Sequence, residues 1–325
     1  MRKAMVWFSA VVLAGVACLF AVIICAAVFV NGRTGSETDI ASSALLKSPP
    51  PRMTTPVELK VVTFNVQNLW VVGRNRAERM RAIGDLLTRI DPDVAGFQEV
   101  FAEEERGILI DALAGSRLRY HEYFPSATLG SGLLIMSAWP IKETLFHRYT
   151  ASNEWFRLWE GDWWAGKGVA LARIEHPAGI IDFYDTHAQA NYGRAANREV
   201  RMQQMREAAL FVNETRTNTG PAFFVGDFNC RPGNPEYDLL VRDIGLVHLM
   251  DDQKRIDNIF GIADPAYTFE MVAFAELERH NGRLLSDHNG YMSTVRVVPA
   301  AGAAPLEVAR TDAAAAAASE ADTTL

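Results

Sequence analysis

Between residues 57 and 298 short apolar runs alternate with amphipathic repeats, and most of the apolar runs end on a polar residue. Glu58–Phe64 (ELKVVTF) predicts a strand with Asn65 at its end. Arg76–Ile90 puts Met80, Ile83, Leu87 and Ile90 on one helical face, and Asp91-Pro92-Asp93 stops the helix. A short strand from Val94 to Phe97 follows and runs into Gln98 and Glu99. Leu133–Met136, Gly168–Ile174 and Ile180–Tyr184 predict further strands, the last leading to Asp185-Thr186-His187. Asn197–Val212 reads as a long helix whose stripe is Met202, Met205, Ala209 and Val212, with Gln204 and Ala208 off it. Ala222–Val225 is a strand ending at Gly226-Asp227, and Arg255–Phe260 and Tyr291–Val298 close the region. Helices lie between strands in the first half, and strands dominate the second. The order predicts a two-sheet α/β core with helices outside.

The flanks differ in kind. Met5–Val30 carries no charge and exceeds the roughly 20 residues that cross a bilayer. Its length favours an uncleaved anchor over residues 1–30, and Arg2 and Lys3 before it put the domain on the exoplasmic or periplasmic side. A cleaved signal peptide and a secreted protein form the alternative. Residues 31–56, rich in Ser, Thr and Pro, read as a flexible linker, and the Ala-rich residues 299–325 as a disordered tail. The domain over 57–298 contains one cysteine, Cys230, which rules out a disulfide within it and a Cys-rich metal site. The formal charge of −7 disfavours a nucleic-acid partner, although a divalent metal can supply local positive charge.

The polar strand ends carry the candidate chemistry. Asn65, Glu99, His187, and Asp227 with Asn229 all follow buried runs, and Ser286-Asp287-His288 precedes the last strand. Strand ends are where α/β folds build sites. Asp227 and Asn229 are spaced to leave one face of an extended segment, with Phe228 turned into the core. Oxygen donors of this kind suit Mg²⁺ or Mn²⁺, and His187 and His288 suit proton transfer or oxyanion stabilisation. Singly, each is also what a capped turn or a satisfied core histidine looks like; the repetition is what points to phosphate-ester hydrolysis.

TFNVQNLW (63–70), GFQEV (96–100), YDTHAQ (184–189), GDFN (226–229), RIDNIF (255–260) and LSDHNG (285–290) together resemble the endonuclease/exonuclease/phosphatase superfamily, in its order. The resemblance implies a four-layer α/β sandwich, with two central mixed β-sheets flanked by helices, and Mg²⁺-dependent phosphoester hydrolysis. It implies a metal site at Glu99 and Asn65, with Asp287 in the metal-side network. It further implies that Asp227 positions the nucleophilic water, Asn229 orients the phosphate, and His187 contacts the phosphate or assists the leaving group. His288 resembles the catalytic histidine and Asp257 the carboxylate that orients it. Asn258 stands where the family often has an aromatic residue.

Within the superfamily, residues 75–87, 129–141 and above all EGDWWAGKGVAL (160–171) resemble the neutral sphingomyelinases. In that branch an Asp and a Lys five residues apart, here Asp162 and Lys167, form a switch pair in which the lysine reaches the substrate phosphate. Where those enzymes tend to have a second histidine after THL, this chain has Gln189. Trp155, Trp159, Trp163 and Trp164 cluster beside the pair, which suits either an aromatic core corner or a lip for a membrane and a choline headgroup. The expectation is a membrane-anchored phospholipase-C-type phosphodiesterase acting on a choline-headgroup phospholipid, sphingomyelin first. The rivals are a nuclease of the same superfamily and a catalytically silent, membrane-tethered lipid-binding module.

Overall fold

The computed structural model describes residues 2–33, 38–70, 73–127, 129–154, 160–251 and 254–300. Helix α1 (Arg2–Arg33) contains Met5–Phe29, long and apolar enough to cross a membrane, and α2 (Ala44–Lys47) is a single turn. The domain then runs β1 (Val57–Asn68), α3 (Arg76–Ile90), β2 (Val94–Val100), α4 (Glu103–Leu113), β3 (Tyr120–Tyr123), β4 (Leu134–Ser137) and β5 (Ile141–Arg148). It continues with β6 (Gly168–His176), β7 (Gly179–His187), α5 (Ala195–Thr215), β8 (Ala222–Asp227), α6 (Pro235–Ile244), β9 (Leu246–His248) and β10 (Asp257–Ile262). Last come β11 (Tyr267–Leu277), the short hairpin β12 (Arg279–His280) and β13 (Arg283–Leu284), and β14 (Gly290–Pro299).

Two six-stranded sheets, ordered β11-β14-β1-β2-β4-β3 and β5-β6-β7-β8-β10-β9, pack face to face. Each is mixed by one parallel pair, β1 with β2 and β7 with β8. Side chains alternate along each strand, so Leu59 and Val61 meet Phe183, Phe223 and Val225 between the sheets. Val62 and Phe64 point the other way, onto α3 and α4 through Met80, Ile83, Leu87, Leu109 and Leu113. Tyr184 and Phe224 point outward onto α5 and α6 through Met205, Val212 and Leu240. Both faces of the central strands are therefore covered, which is why they read as continuous apolar runs rather than alternating ones. The result is the expected four-layer α/β sandwich, with two central sheets flanked by helices. At Gly96 the sheets approach closely: a Cβ there would lie 2.7 Å from Val225 Cγ2 and 2.9 Å from Asp185 Cγ.

Two expectations are corrected. The face of α5 turned inward is wider than its methionine stripe, because Gln204 and Ala208 are also buried, with Arg201. Gln204 hydrogen-bonds the Gln189 N–H at 2.7 Å, so its polarity is satisfied inside. The linker over 31–56 is not a free tether where it is described. Thr38 and Phe146 of β5 exchange hydrogen bonds, Thr38 N–H to the Phe146 carbonyl (3.1 Å) and Phe146 N–H to Thr38 Oγ1 (2.9 Å). Ser43 Oγ and Ala44 N–H donate to Glu143 at 2.8 and 2.7 Å, and the buried Arg173 donates to Ser43 Oγ at 2.7 Å. The Thr38 and Ser43 hydroxyls are partners of the second sheet rather than of water. The tail expected over 299–325 lies, beyond Ala300, outside the described residues.

Candidate active site

The inward parity of the strands determines what reaches the mouth of the sandwich. Leu59, Val61, Thr63 and Asn65 share one face of β1; Ile181, Phe183, Asp185 and His187 share one face of β7; Phe223, Val225 and Asp227 share one face of β8. Register then aligns them. His187 sits opposite Asp227, and Asp227 opposite Asp257, so three adjacent strands present three polar groups at one level. On the facing sheet Asn65 of β1 pairs in register with Gln98 of the adjacent β2. Glu99 would point outward by parity, but its backbone is left-handed (φ 61°), and the kink re-aims it toward Asn65. Asn229 also departs from the extended geometry expected of it. Its φ is 51° and its N–H bonds Asp227 Oδ1 at 3.0 Å, yet the turn still brings its amide to the Ala188 carbonyl at 3.1 Å. Phe228 is fully buried, as expected.

Asn65 Nδ2 donates to Glu99 Oε1 and to Asp227 Oδ2, both at 3.0 Å, while its Oδ1 accepts the Gln67 N–H at 3.1 Å. Expected at the metal, Asn65 in this arrangement meets the two carboxylates through its nitrogen and orients them. His288 Nδ1 bonds Asp257 Oδ2 at 2.8 Å and lies 3.9 Å from Asp227 Oδ2. Ser286 Oγ donates to the Asn65 carbonyl at 2.7 Å, and Gln67 Nε2 to Asp287 Oδ2 at 2.7 Å. Asp287 is exposed at the rim. Asn258 is buried and its Oδ1 lies 3.1 Å from His248 Nε2, so an amide–imidazole pair fills the place of an aromatic side chain.

The 160–171 insert reaches the same cluster. Lys167 Nζ lies 2.6 Å from Asp162 Oδ1, 2.8 Å from the Ala188 carbonyl and 2.9 Å from His187 Nε2. An ammonium only donates, so His187 Nε2 accepts and its ring proton resides on Nδ1. His187 Nε2 is also 3.5 Å from Asp227 Oδ2 and 3.9 Å from Glu99 Oε1. Asp162 Oδ2 accepts from Gln189 Nε2 at 2.6 Å and from the Ala190 N–H at 2.9 Å. Gln189, the departure from the branch pattern, thus braces Asp162. Trp163 is buried and meets the half-buried Trp164 edge-on at 4.9 Å, so it belongs to a core corner and not to a membrane lip. Trp155 and Trp159 lie outside the described residues.

Burial sets the protonation pattern. It lifts Glu99 to about 7 against the pull of Asn65 and Lys167. It lifts Asp227 to about 7, helped by Asp257 and opposed by His288, Lys167 and Asn65. Asp257 is raised by burial and held down in part by His288. For His288 burial favours the neutral ring, but the hydrogen bond and charge of Asp257, with Asp227 and Asp287, carry it to about 10. Burial, with Lys167 and His288 nearby, pushes His187 well below its ordinary value. His187 is therefore neutral near pH 7.

The carboxylates crowd one another even with Lys167 and the charged His288 beside them. Glu99 Oε2 and Asp257 Oδ1 are buried without a hydrogen-bond partner, and ligand atoms of Asp227, Asp257 and His288 lie within 4.8 Å of one another. Hard oxygen donors with orphaned lone pairs fit Mg²⁺ or Mn²⁺. Reasoning from sequence missed the supporting residues Gln67, Gln98 and Arg79. Arg79 alone carried a signal, being an arginine one turn before Ile83 on the buried face of α3. Its guanidinium donates to the carbonyls of Val66, Gln67, Arg74 and Leu285 at 2.6–2.9 Å.

The Endonuclease/Exonuclease/phosphatase family matches residues 62–288. The chain is 32% identical over 219 residues to an inositol phosphosphingolipids phospholipase C of Schizosaccharomyces pombe, covering 64% of this chain and 50% of that protein. It is 30% identical over 178 residues to the Homo sapiens sphingomyelin phosphodiesterase 2, covering 54% and 42%. It thus spans about half the length of these relatives. Its fold resembles that of sphingomyelinase C from Streptomyces griseocarneus, with a TM-score of 0.58 at 19% identity over 73% of this chain and 99% of that one. It also resembles a mutant of the Staphylococcus aureus beta toxin with bound magnesium ions, with a TM-score of 0.59 at 19% identity over 73% and 99%.

Proposed function

The chain belongs to the endonuclease/exonuclease/phosphatase family, and from that premise we propose that it is a membrane-anchored, Mg²⁺-dependent phosphodiesterase of phospholipase C type that hydrolyses sphingomyelin to ceramide and phosphocholine. One observation carries the substrate class. Lys167, delivered by the insert that resembles the sphingomyelinase branch, bridges Asp162 and His187 in the same cluster as Glu99 and Asp227. The sphingolipid-cleaving activities named for relatives at about 30% identity support the reading.

Glu99 and Asp257, each with an orphaned buried oxygen, would hold Mg²⁺, which supplies charge for a phosphoryl oxygen and for the departing alkoxide. Asp227, raised to about 7, is poised to take a proton from water near neutral pH. Asn65 fixes the Asp227 carboxylate for that transfer, and Asp257 fixes the His288 ring. The charged His288, Lys167 and the Asn229 amide supply positive charge and donors for the phosphoryl oxygens. The water oxygen forms the new bond to phosphorus, the bond from phosphorus to the ceramide oxygen breaks, and that oxygen takes a proton from solvent to leave as the ceramide hydroxyl, while the proton held by Asp227 passes to solvent.

The Schizosaccharomyces pombe relative favours a second headgroup, inositol phosphate on the same sphingoid product. The full-length protein in mixed micelles should therefore be offered sphingomyelin, inositol phosphosphingolipid, phosphatidylcholine and plasmid DNA, with Mg²⁺ or chelator and with His288→Ala as blank. Metal-dependent release of ceramide supports the proposal, and the headgroup released chooses between the two sphingolipids. Nicked DNA with intact lipid overturns it.

A further inference from the structure

We propose that the catalytic opening is held against the bilayer that carries α1, so that the enzyme cleaves lipid in its own membrane and not in a facing one. This rests on the reading of α1 as a retained anchor and of the substrate as a membrane lipid.

Chain length limits how far the domain can stand from the anchor. Residues 31–56, if free, would let the domain wander about 90 Å from the end of the anchor. The structure removes most of that freedom. Thr38 is bonded to Phe146, Ser43 and Ala44 to Glu143, and Met53, itself buried, donates its N–H to the Thr219 carbonyl at 2.7 Å. Arg173, fully buried, ties this strap inward by contacting Ser43, Glu143, Asp182 and the Thr215 carbonyl. Only residues 34–37 separate α1 from Thr38, a reach of at most about 18 Å.

The point of attachment is at the site end of the second sheet. Beyond Phe146, β5 ends with Arg148 opposite Gly168, and Tyr149 N–H bonds the Lys167 carbonyl at 3.0 Å. Three residues of strand, about 10 Å, lead from the attachment to the level of Lys167. The opening therefore stays within about 30 Å of the end of α1. Two of the large exposed side chains of the domain belong to this end. Trp70, 48% exposed, follows β1 just beyond Asn65, and Tyr192, 44% exposed, stands near Asp162 and Glu99. Both ring types favour the interface of a bilayer.

The test reconstitutes the full-length protein in vesicles. In one arm the enzyme's own vesicles contain fluorescent sphingomyelin; in the other only added, enzyme-free vesicles do. Cleavage should be faster in the first arm by about 100-fold. Inserting about 20 Gly/Ser residues between residues 35 and 36 should raise the second arm by about 10-fold, with hydrolysis of detergent-dispersed sphingomyelin unchanged. Equal rates in the two arms, or an insertion without effect, overturn the proposal while leaving the substrate reading intact. Protein released from vesicles by alkaline carbonate overturns the anchor and this inference with it. Sphingomyelin left intact in both arms and in detergent overturns the substrate reading and this inference together.

Discussion

Lys167→Met removes the ammonium while keeping the length and much of the packing of the side chain. Three contacts are lost, to Asp162, His187 and the Ala188 carbonyl. Asp162 is then a buried carboxylate without its cation, but it keeps the Gln189 and Ala190 donors. The stability cost should fall at the low end of the about 3–5 kcal/mol typical of a broken buried pair. The functional cost is separate. If Lys167 aids a phosphoryl oxygen in the transition state, its loss should lower kcat/KM by about 10²–10³, as for one oxyanion donor, or about 2.7–4 kcal/mol. The assay is ceramide release from sphingomyelin micelles by wild type and variant, each shown folded by a urea melt. A variant within about threefold of wild-type kcat/KM would falsify the catalytic reading and leave Lys167 as the counter-ion of Asp162.

Three further outcomes follow from buried polar groups. Arg79→Met leaves the Val66 and Leu285 carbonyls short of a donor, each at about 1–3 kcal/mol, so urea melts should show a loss of roughly 2–6 kcal/mol and turnover should fall as the Asn65 and His288 loops loosen. Glu236→Gln uncouples the buried Arg201, whose guanidinium lies 2.7 Å from Glu236 and bonds the Gln189 carbonyl at 3.0 Å; calorimetry should show about 3–5 kcal/mol lost. The strap should also respond to acid. Burial opposes ionisation of Glu143, but Ser43, Ala44 and Arg173 outweigh it and hold its carboxyl below the ordinary value of 4.5. With the folded value depressed, the strap's stability is present above the ordinary value and lost as pH falls through the folded one. Hydrogen exchange at the Ala44 and Leu46 amides should accelerate in that acid window and stay slow at neutral pH; equal protection on both sides would contradict the role given to Glu143.

The strands that carry the site were legible because both their faces are buried, leaving unbroken apolar runs that stop at the mouth of the sandwich. Helix α3 was legible for the opposite reason, a clean stripe stopped by Asp91-Pro92-Asp93. Helix α4 was not, because Glu105 occupies its buried face and is paired there with Arg76 at 2.9 Å, a partner from another helix. Strand β11 escaped notice as well, since most of its residues are partly or wholly exposed at a sheet edge. At the site, residue types and strand ends pointed to residues that the fold brings together, but orientation was hidden. The left-handed turns at Glu99 and Asn229, the nitrogen-first approach of Asn65 and the brace from Gln189 to Asp162 all depend on register between strands distant in sequence. The strap was misread because composition records that Ser43 and Thr38 are polar, not that Glu143 and β5 await them.

In the proposed reaction water attacks phosphorus and the ceramide oxygen departs. Its most direct test is turnover of sphingomyelin in ¹⁸O-enriched water with Mg²⁺, followed by mass spectrometry of both products. The account predicts one ¹⁸O in phosphocholine, none in ceramide, and no product with chelator or with His288→Ala. Label in ceramide, or free choline beside ceramide phosphate, would contradict it.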